Sequence, residues 1–267
     1  MNEDNKFYTL GGSEKEQERL NKQSDLYGDR KYLNFKENDT VCEVGCGSGA
    51  NLWIAKLLTH GFFIGIDIQQ SQIETSQKKS KTQQLTNTKF ICSDAHKLPL
   101  ESESVSVAFC RLVLIHIPDP IAVIKEMCRI TKPSGRVIAI EPDAEQYKSS
   151  KPALNKCFLA RTNYAYRPGN GSINVTQNLY SIFHNGGLEN ITLKKHEIIV
   201  NGCEKELLKE LLINWLIMIE SVINPLLKEK YITKLDFDNA KQEVEEISDE
   251  DYVYQYLWVA EGNKPRM

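Results

Sequence analysis

Val41-Cys42-Glu43-Val44-Gly45-Cys46-Gly47-Ser48-Gly49 is an apolar run that ends in an acidic residue and three glycines at alternate positions. An amphipathic helix is predicted to follow, over residues 50–59. Glycines at this spacing remove the side chains from a turn between a strand and a helix, so that a flat ligand can approach the backbone. The helix N-terminus adds unpaired N–H groups and a partial positive charge. The pattern predicts a turn that binds a nucleoside cofactor.

Two classes of cofactor fit this turn. The run from Gly45 to Ala50 also matches the dinucleotide pattern G-x-G-x-x-A, so the turn alone does not separate NAD from S-adenosylmethionine. The next predicted strand ends in Asp67, about 20 residues past the glycines, where a carboxylate binds the ribose hydroxyls of either cofactor. The third predicted strand ends in Asp94. A carboxylate there suits the adenine amino group, which favours S-adenosylmethionine.

Five segments carry a resemblance to a known family. They are Glu43-x-Gly45-x-Gly47-x-Gly49, Gly65-Ile66-Asp67, Ser93-Asp94-Ala95-x-x-Leu98-Pro99, Cys110-Arg111-x-x-Leu114-x-His116-x-Pro118-Asp119-Pro120 and Lys132-Pro133-Ser134-Gly135-Arg136. In this order they cover roughly residues 38–142 and resemble the class I S-adenosylmethionine-dependent methyltransferases. The resemblance is closest to the small-molecule branch that includes the ubiquinone/menaquinone-biosynthesis-like enzymes.

The resemblance implies roles for individual residues. The glycines at 45, 47 and 49 are expected to border the methionine part of the cofactor, Asp67 to hold the ribose and Asp94 the adenine. The full predicted cofactor set is Glu43, Gly45, Cys46, Gly47, Gly49, Asp67, Ile68, Asp94, Ala95 and Arg111. For the acids a structural role stays open, because Asp67 and Asp94 can cap the following helices and Glu43 can order the glycine loop.

Strands and helices alternate along the first half of the chain, which is typical of a doubly wound parallel sheet. Ligands bind such a sheet at the carboxyl ends of its strands, beside the switch between the first and fourth strands. We therefore predict an α/β fold with a seven-stranded, mostly parallel Rossmann-like methyltransferase sheet, an antiparallel last strand and a helical cap insertion. The predicted strands are 40–45, 62–67, 88–93, 104–110, 135–141, 188–200 and 252–260, and the main helices are 13–26, 50–59, 70–83, 119–131, 151–166, 175–186 and 237–247.

Four regions are predicted from this pattern. They are N-terminal lid helices at 1–37, a cofactor-binding core at 38–200, a helical cap at 201–250, and a final core strand with a tail at 251–267. A cap of this length is read as functional, because long insertions in compact domains usually are. The alternative is that its apolar face covers the sheet or forms a homodimer.

Composition favours a soluble cytoplasmic enzyme. The chain has 267 residues, 41% of them hydrophobic, and a net charge of −3, which disfavours a nucleic-acid partner. No run approaches the length of a membrane span, and the polar N-terminus does not resemble a signal peptide. The seven cysteines form no C-x-x-C pair, so no metal site is predicted and free thiols in a reducing compartment are expected.

The expected chemistry is in-line displacement of a methyl group by a small-molecule acceptor, held at near-attack distance with water excluded. A hydroxyl or carbon acceptor also needs a base, for which His116 and Glu141 are the candidates. A structural role for His116 is the alternative. The predicted acceptor pocket contains Tyr8, Tyr164, Tyr166 and Trp215. Two other functions stay open: binding S-adenosylmethionine without methyl transfer, and an NAD-dependent dehydrogenase.

Overall fold

The computed structural model describes residues 14–167 and 170–266 and contains an α/β fold. The predicted strands and most of the predicted helices are present within one to four residues of their expected ends. The strands are β1 (Thr40–Val44), β2 (Phe62–Asp67), β3 (Thr88–Cys92), β4 (Val105–Arg111), β5 (Thr131–Pro142), β6 (Lys148–Ser149), β7 (Glu189–Asn201) and β8 (Tyr252–Asn263). The helices are α1 (Glu14–Tyr27), α2 (Trp53–Leu57), α3 (Gln70–Thr82), α4 (Pro120–Ile130), α5 (Pro152–Ala165), α6 (Leu179–Asn185), α7 (Lys205–Glu220), α8 (Ile223–Lys228) and α9 (Lys234–Glu245).

The sheet has the predicted switch between its first and fourth strands. The order is β3-β2-β1-β4-β5-β8-β6, β7 pairs with β8, and strands β1 to β5 pair with one another in parallel. Backbone hydrogen bonds join Gly135 to Lys264 and Asp143 to Tyr256. Because the partner number falls as the chain advances along β5, β8 runs antiparallel to it. The described part of the sheet has eight strands instead of the predicted seven, because the two-residue β6 also pairs with β8. The predicted Rossmann-like fold with an antiparallel strand is confirmed.

Contacts divide the chain into two units. The sheet unit comprises residues 29–141, 174–195 and 258–267 and contains β1 to β4 with α2, α3, α4 and α6. Its core includes Val41, Phe63, Phe109 and Ile138, all of which have no exposed surface. Because strands β1 and β4 are buried on both faces, their sequences are nearly continuous apolar runs.

Among the described residues, the helical unit comprises 14–28, 142–167, 170–173 and 196–257. At its centre Trp215 of α7 stacks on Phe158 of α5, with 4.7 Å between ring centroids, and on Tyr147, with 5.4 Å. Helix α5 also packs against α9, and α1 packs against α7. Contacts thus group residues 201–250 with residues 142–173 and with α1, because these rings pair over long sequence distances. The four predicted regions stay a prediction.

Two predicted helices differ locally from the structure. The predicted helix at 50–59 is α-helical only over Trp53–Leu57, because residues 49–52 form tight turns in which Gly49 N donates to Cys46 O and Leu52 N to Gly49 O. The predicted helix at 175–186 begins as a 3-10 helix at Ile173–Asn178 before α6. Across the residues that the structure describes, no helix has the length and apolar character needed to cross a bilayer.

Candidate cofactor and catalytic site

The sheet register aligns the predicted cofactor residues at the carboxyl ends of neighbouring strands. Glu43 of β1 lies opposite Gly65 of β2 and Phe109 of β4. Asp67 is the last residue of β2, and Arg111 is the last residue of β4. Since parallel strands end at one edge of the sheet, these side chains lie at the same edge.

The glycine loop leaves its backbone bare beside this edge. Gly45 has a φ of +75°, and a Cβ there would lie 2.4 Å from Val113 Cγ2, so only glycine fits. Gly47 has a φ of +50°, and a Cβ there would have no described atom within 4 Å. The loop therefore packs closely at Gly45 and is open at Gly47, where a ligand can approach the backbone.

Asp67 holds the glycine loop in place. Its Oδ2 accepts a hydrogen bond from Gly47 N at 2.8 Å, and its Oδ1 accepts one from Gln69 N at 2.9 Å. Burial raises the pKa of Asp67 above its ordinary value, while these backbone donors oppose the rise. Each carboxylate oxygen can accept more than one hydrogen bond, so Asp67 can order the loop and still bind ribose hydroxyls.

Glu43 is a buried acid with an unused acceptor. It is 2% exposed, and its Oε1 accepts a hydrogen bond of 2.6 Å from Asn51 Nδ2. Its Oε2 has no hydrogen-bond partner among the described residues. Burial raises its pKa to about 8, against the opposing effects of the Asn51 bond and the Arg111 charge. A buried acceptor without a partner fits a cationic group such as the amino group of the cofactor's methionine part.

Arg111 is held by an acid that sequence analysis missed. Its Nε donates to Asp29 Oδ2 at 2.6 Å and its Nη2 to Asp29 Oδ1 at 3.2 Å. The side chains are 7% and 1% exposed, so this bidentate pair is buried. Asp29 lies 82 residues before Arg111 and outside every motif, so no local signal in the sequence identifies it.

Glu141, a predicted catalytic residue, binds three consecutive backbone N–H groups. Its Oε1 accepts from Val113 N at 3.0 Å and from Leu114 N at 2.8 Å, and its Oε2 accepts from Ile115 N at 3.2 Å. Burial raises its pKa to about 7, against the effect of these donors. The turn begins at Leu112, whose φ is +58°, and ends in the 3-10 helix that contains His116. Glu141 therefore holds the loop that carries His116.

The remaining predicted cofactor residues lie at the same strand ends. Asp94 Oδ1 accepts a hydrogen bond from His96 N at 2.8 Å. Burial raises the pKa of Asp94, but the hydrogen bonds from His96 outweigh this effect, so the pKa is lowered from its ordinary value. Ile68 is 53% exposed, which leaves an apolar surface next to Asp67. Cys46 is 4% exposed, and its N–H donates to Ile66 O, so it serves the loop's own packing. Ala95 follows Asp94 in the same turn and is half-buried.

The predicted acceptor residues belong to the helical unit. Trp215 has no exposed surface and forms part of the unit's aromatic core. Tyr164 is 9% exposed and contacts the edge of Tyr231, with 5.9 Å between ring centroids. Tyr166 is half-buried, and Tyr8 lies outside the described residues. Their grouping into one acceptor pocket stays a prediction.

A cavity of about 460 Å³ lies at the other edge of the sheet unit. It is lined by the residues at the starts of β1, β4 and β5, among them Asp39, Ser106 and Lys132. Because the acids and the glycine loop lie at the carboxyl ends of these strands, this cavity is separate from the predicted site.

Comparisons with known proteins agree with this geometry. A family model described as a methyltransferase domain matches residues 35–187. The demethylmenaquinone methyltransferase of Staphylococcus saprophyticus is 27% identical over 130 residues, which are 48% of this chain and 53% of that protein. The ubiquinone biosynthesis O-methyltransferase of Coxiella burnetii is 33% identical over 98 residues, 36% of this chain and 41% of that protein. The chain thus spans about half or less of the length of these curated relatives.

Among solved structures, the [4+2]-cyclase SpnF superposes with a TM-score of 0.57 at 16% identity, over 97% of this chain and 87% of that one. This likeness supports the fold. The cofactor that the family implies is S-adenosylmethionine, and the open backbone at Gly47, the unused oxygen of Glu43 and the strand-end carboxylate of Asp67 fit it. The chain belongs to the methyltransferase domain family.

Proposed function

We propose that this chain transfers a methyl group from S-adenosylmethionine to a small organic acceptor by in-line displacement. The observation that carries the proposal is the alignment of Glu43, Asp67 and Arg111 at adjoining strand ends around the glycine loop, in a chain whose residues 35–187 match a methyltransferase domain. When bound, the cofactor supplies an electrophilic methyl carbon. The protein's own residues hold it, orient the acceptor and exclude water.

For an acceptor that must lose a proton, we propose different roles for the two catalytic candidates. Both oxygens of Glu141 accept backbone N–H groups, which suits a residue that positions the loop more than one that takes a proton. His116, at the end of that loop, has the side chain whose ordinary pKa best suits a base near neutral pH. An amine acceptor needs neither group.

The proposal also covers the molecules that this chain binds and where it is located. The relatives named for demethylmenaquinone and ubiquinone biosynthesis support a small organic acceptor. The net charge of −3 supports the absence of a nucleic-acid partner. We propose a cytoplasmic location from the composition of the chain. A homodimer through the helical unit is a further prediction, tested by the mass of the protein in solution.

The runner-up function is binding of S-adenosylmethionine without methyl transfer. One observation favours keeping it: the fold also resembles that of a [4+2]-cyclase, at a TM-score of 0.57. The sheet unit would be the same in both cases. The match to a methyltransferase domain favours either function over an NAD-dependent dehydrogenase.

Replacing Asp67 by alanine should weaken binding of S-adenosylhomocysteine by about 1.5–3 kcal/mol, because the variant loses a charged hydrogen-bond partner. The loop would also lose the acceptor for Gly47 N. Isothermal titration with S-adenosylhomocysteine measures the effect, with Asp238→Ala on the exposed face of α9 as the matched control. An unchanged dissociation constant in a folded Asp67→Ala protein would count against this site, as would tighter binding of NAD than of S-adenosylhomocysteine by the unaltered protein.

The proposed reaction is tested with S-adenosylmethionine labelled in its methyl group. The protein is incubated with fractionated cell extract, and the label is followed into small molecules, RNA and protein. We expect label in a small-molecule fraction whose product gains one methylene in mass. Label confined to RNA or protein would overturn the acceptor class. Cofactor binding without label in any fraction would favour the runner-up.

A further inference from the structure

Arg161 is a buried cation to which the described residues supply no counter-charge. It lies on α5 and is 2% exposed. Its Nε has no hydrogen-bond partner among the described residues, and its Cζ lies 5.9 Å from the ring centroid of Tyr166. A cation removed from water is strongly unfavourable unless it is paired. The arrangement therefore points to an anion that completes it.

Two other buried cations of the helical unit have partners. Lys151 Nζ lies 2.7 Å from Asp251 Oδ2 and also donates to the carbonyl of Glu246. Arg19 Nη1 donates to Asn214 Oδ1 at 3.0 Å. Lys151 and Arg19 thus each have a hydrogen-bond acceptor within the unit, whereas Arg161 Nε has none among the described residues.

A second unused donor belongs to the same aromatic core. Gln255 has no exposed surface, and its Oε1 accepts a hydrogen bond of 2.9 Å from Trp215 Nε1. Because an indole N–H only donates, the amide oxygen must face Trp215, and Nε2 is the atom without a partner among the described residues. Trp215 stacks on Phe158, which lies three residues before Arg161 and on the same side of α5. Both unused groups are donors, so each of them lacks an acceptor.

We propose that Arg161 binds the oxyanion of a small planar methyl acceptor, a carboxylate or a phosphate group. A guanidinium matches both groups with two parallel N–H donors. The half-buried ring of Tyr166, which lies over the guanidinium, offers a flat apolar surface for the rest of such a molecule. That this molecule is the methyl acceptor rests on the proposed function, whereas the oxyanion site itself does not.

The test uses three probes of one shape: benzoate, phenyl phosphate and the neutral benzamide. Their binding is measured by titration in the presence of S-adenosylhomocysteine. We expect weak binding of at least one oxyanion, with a dissociation constant on the order of 1 mM, and binding of benzamide weaker by about tenfold or more. The better of the two oxyanions identifies the group. Equal binding of benzamide, or no binding of either oxyanion, would overturn the proposal.

The variants are Arg161→Met and its matched control Arg167→Met. Arg167 lies in the same segment, over the ring of Tyr164, but is exposed and pairs with Glu229 at 3.4 Å. Arg161→Met should lose oxyanion binding by about tenfold or more, and Arg167→Met should keep it. Unchanged binding in Arg161→Met contradicts the proposal. If that variant does not fold, Arg161→Lys tests the proposal. It keeps the charge but loses the planar fork, so it should bind the oxyanion severalfold more weakly than the unaltered protein.

Failure of this inference and failure of the proposed function give different results. S-adenosylhomocysteine binding, which depends on the sheet unit, should be equal in Arg161→Met and the unaltered protein. Methyl transfer to neutral small molecules with no oxyanion binding would overturn the inference and leave the proposed function standing. Oxyanion binding with no methyl transfer to any fraction would overturn the proposed function and leave the oxyanion site standing.

Discussion

Replacing Asp29 by alanine should lower the free energy of unfolding by about 3–5 kcal/mol, because it removes the bidentate partner of a buried guanidinium. The pair joins Arg111 Nε to Asp29 Oδ2 at 2.6 Å, and its side chains are 7% and 1% exposed. Urea unfolding at neutral pH measures the change. Asp249→Ala is the control, since its ion pair with Lys205 is exposed and should contribute little.

The double variant Asp29→Ala with Arg111→Met separates the two sources of this loss. A buried ion pair replaced by apolar residues is often close to neutral, whereas one broken partner leaves a charge without compensation. The double variant should therefore recover most of the stability that Asp29→Ala loses. If it is as unstable as the single variant, lost packing around Asp29 is the cause and the ion pair is not.

The sheet unit could be predicted from the sequence because its signals are local. An apolar run, a glycine turn and an acid at the next strand end lie within about 30 residues of one another, the length of one βαβ unit. The predicted location of the site then follows from the rule that ligands bind at the switch point of a parallel sheet. The pairing of Glu43 with Gly65 of β2 agrees with the predicted order of these strands.

The partners of these residues could not be predicted, because they are distant in sequence or belong to irregular turns. Asp29 pairs with Arg111 across 82 residues, and nothing in Gly28-Asp29-Arg30 distinguishes it from a surface turn. The three N–H groups that bind Glu141 depend on the left-handed conformation of Leu112, a residue type that rarely adopts it. A sequence pattern specifies strand ends well and backbone directions in such loops poorly.

The helical unit shows a different limit. Periodicity indicated its helices, but the length of the insertion at 201–250 suggested a separate cap. Contacts group α7 and α9 with α5, because Trp215 stacks on Phe158 and Tyr147. Trp215 has no exposed surface and belongs to the unit's core, and its place in an acceptor pocket stays a prediction. Residue type alone does not separate a packed ring from one that lines a binding site.

Glu43→Gln should change the pH dependence of stability more than any other substitution at the glycine loop. Burial raises the pKa of Glu43 to about 8 from its ordinary value of 4.5. The folded protein therefore holds this proton between pH 4.5 and 8, where the unfolded chain has released it. The contribution of Glu43 to the free energy of unfolding is fully present below pH 4.5 and is lost as the pH rises toward 8. Glutamine has the same shape and no such proton, so the variant lacks this loss.

The expected result is a stability difference that grows with pH. The variant and the unaltered protein should differ little at pH 4.5, because Asn51 can donate to the Oε1 of either side chain. By pH 8 the variant should be the more stable by on the order of 3–5 kcal/mol. Glu141, whose pKa is also raised by burial, changes stability in the same direction in both proteins and cancels in the difference. Urea unfolding at pH 5, 6, 7 and 8 measures the difference. A constant difference across this range would mean that Glu43 is already charged in the folded protein and neutralised by Arg111. The cationic partner of this acid would then belong to the chain itself and not to the ligand.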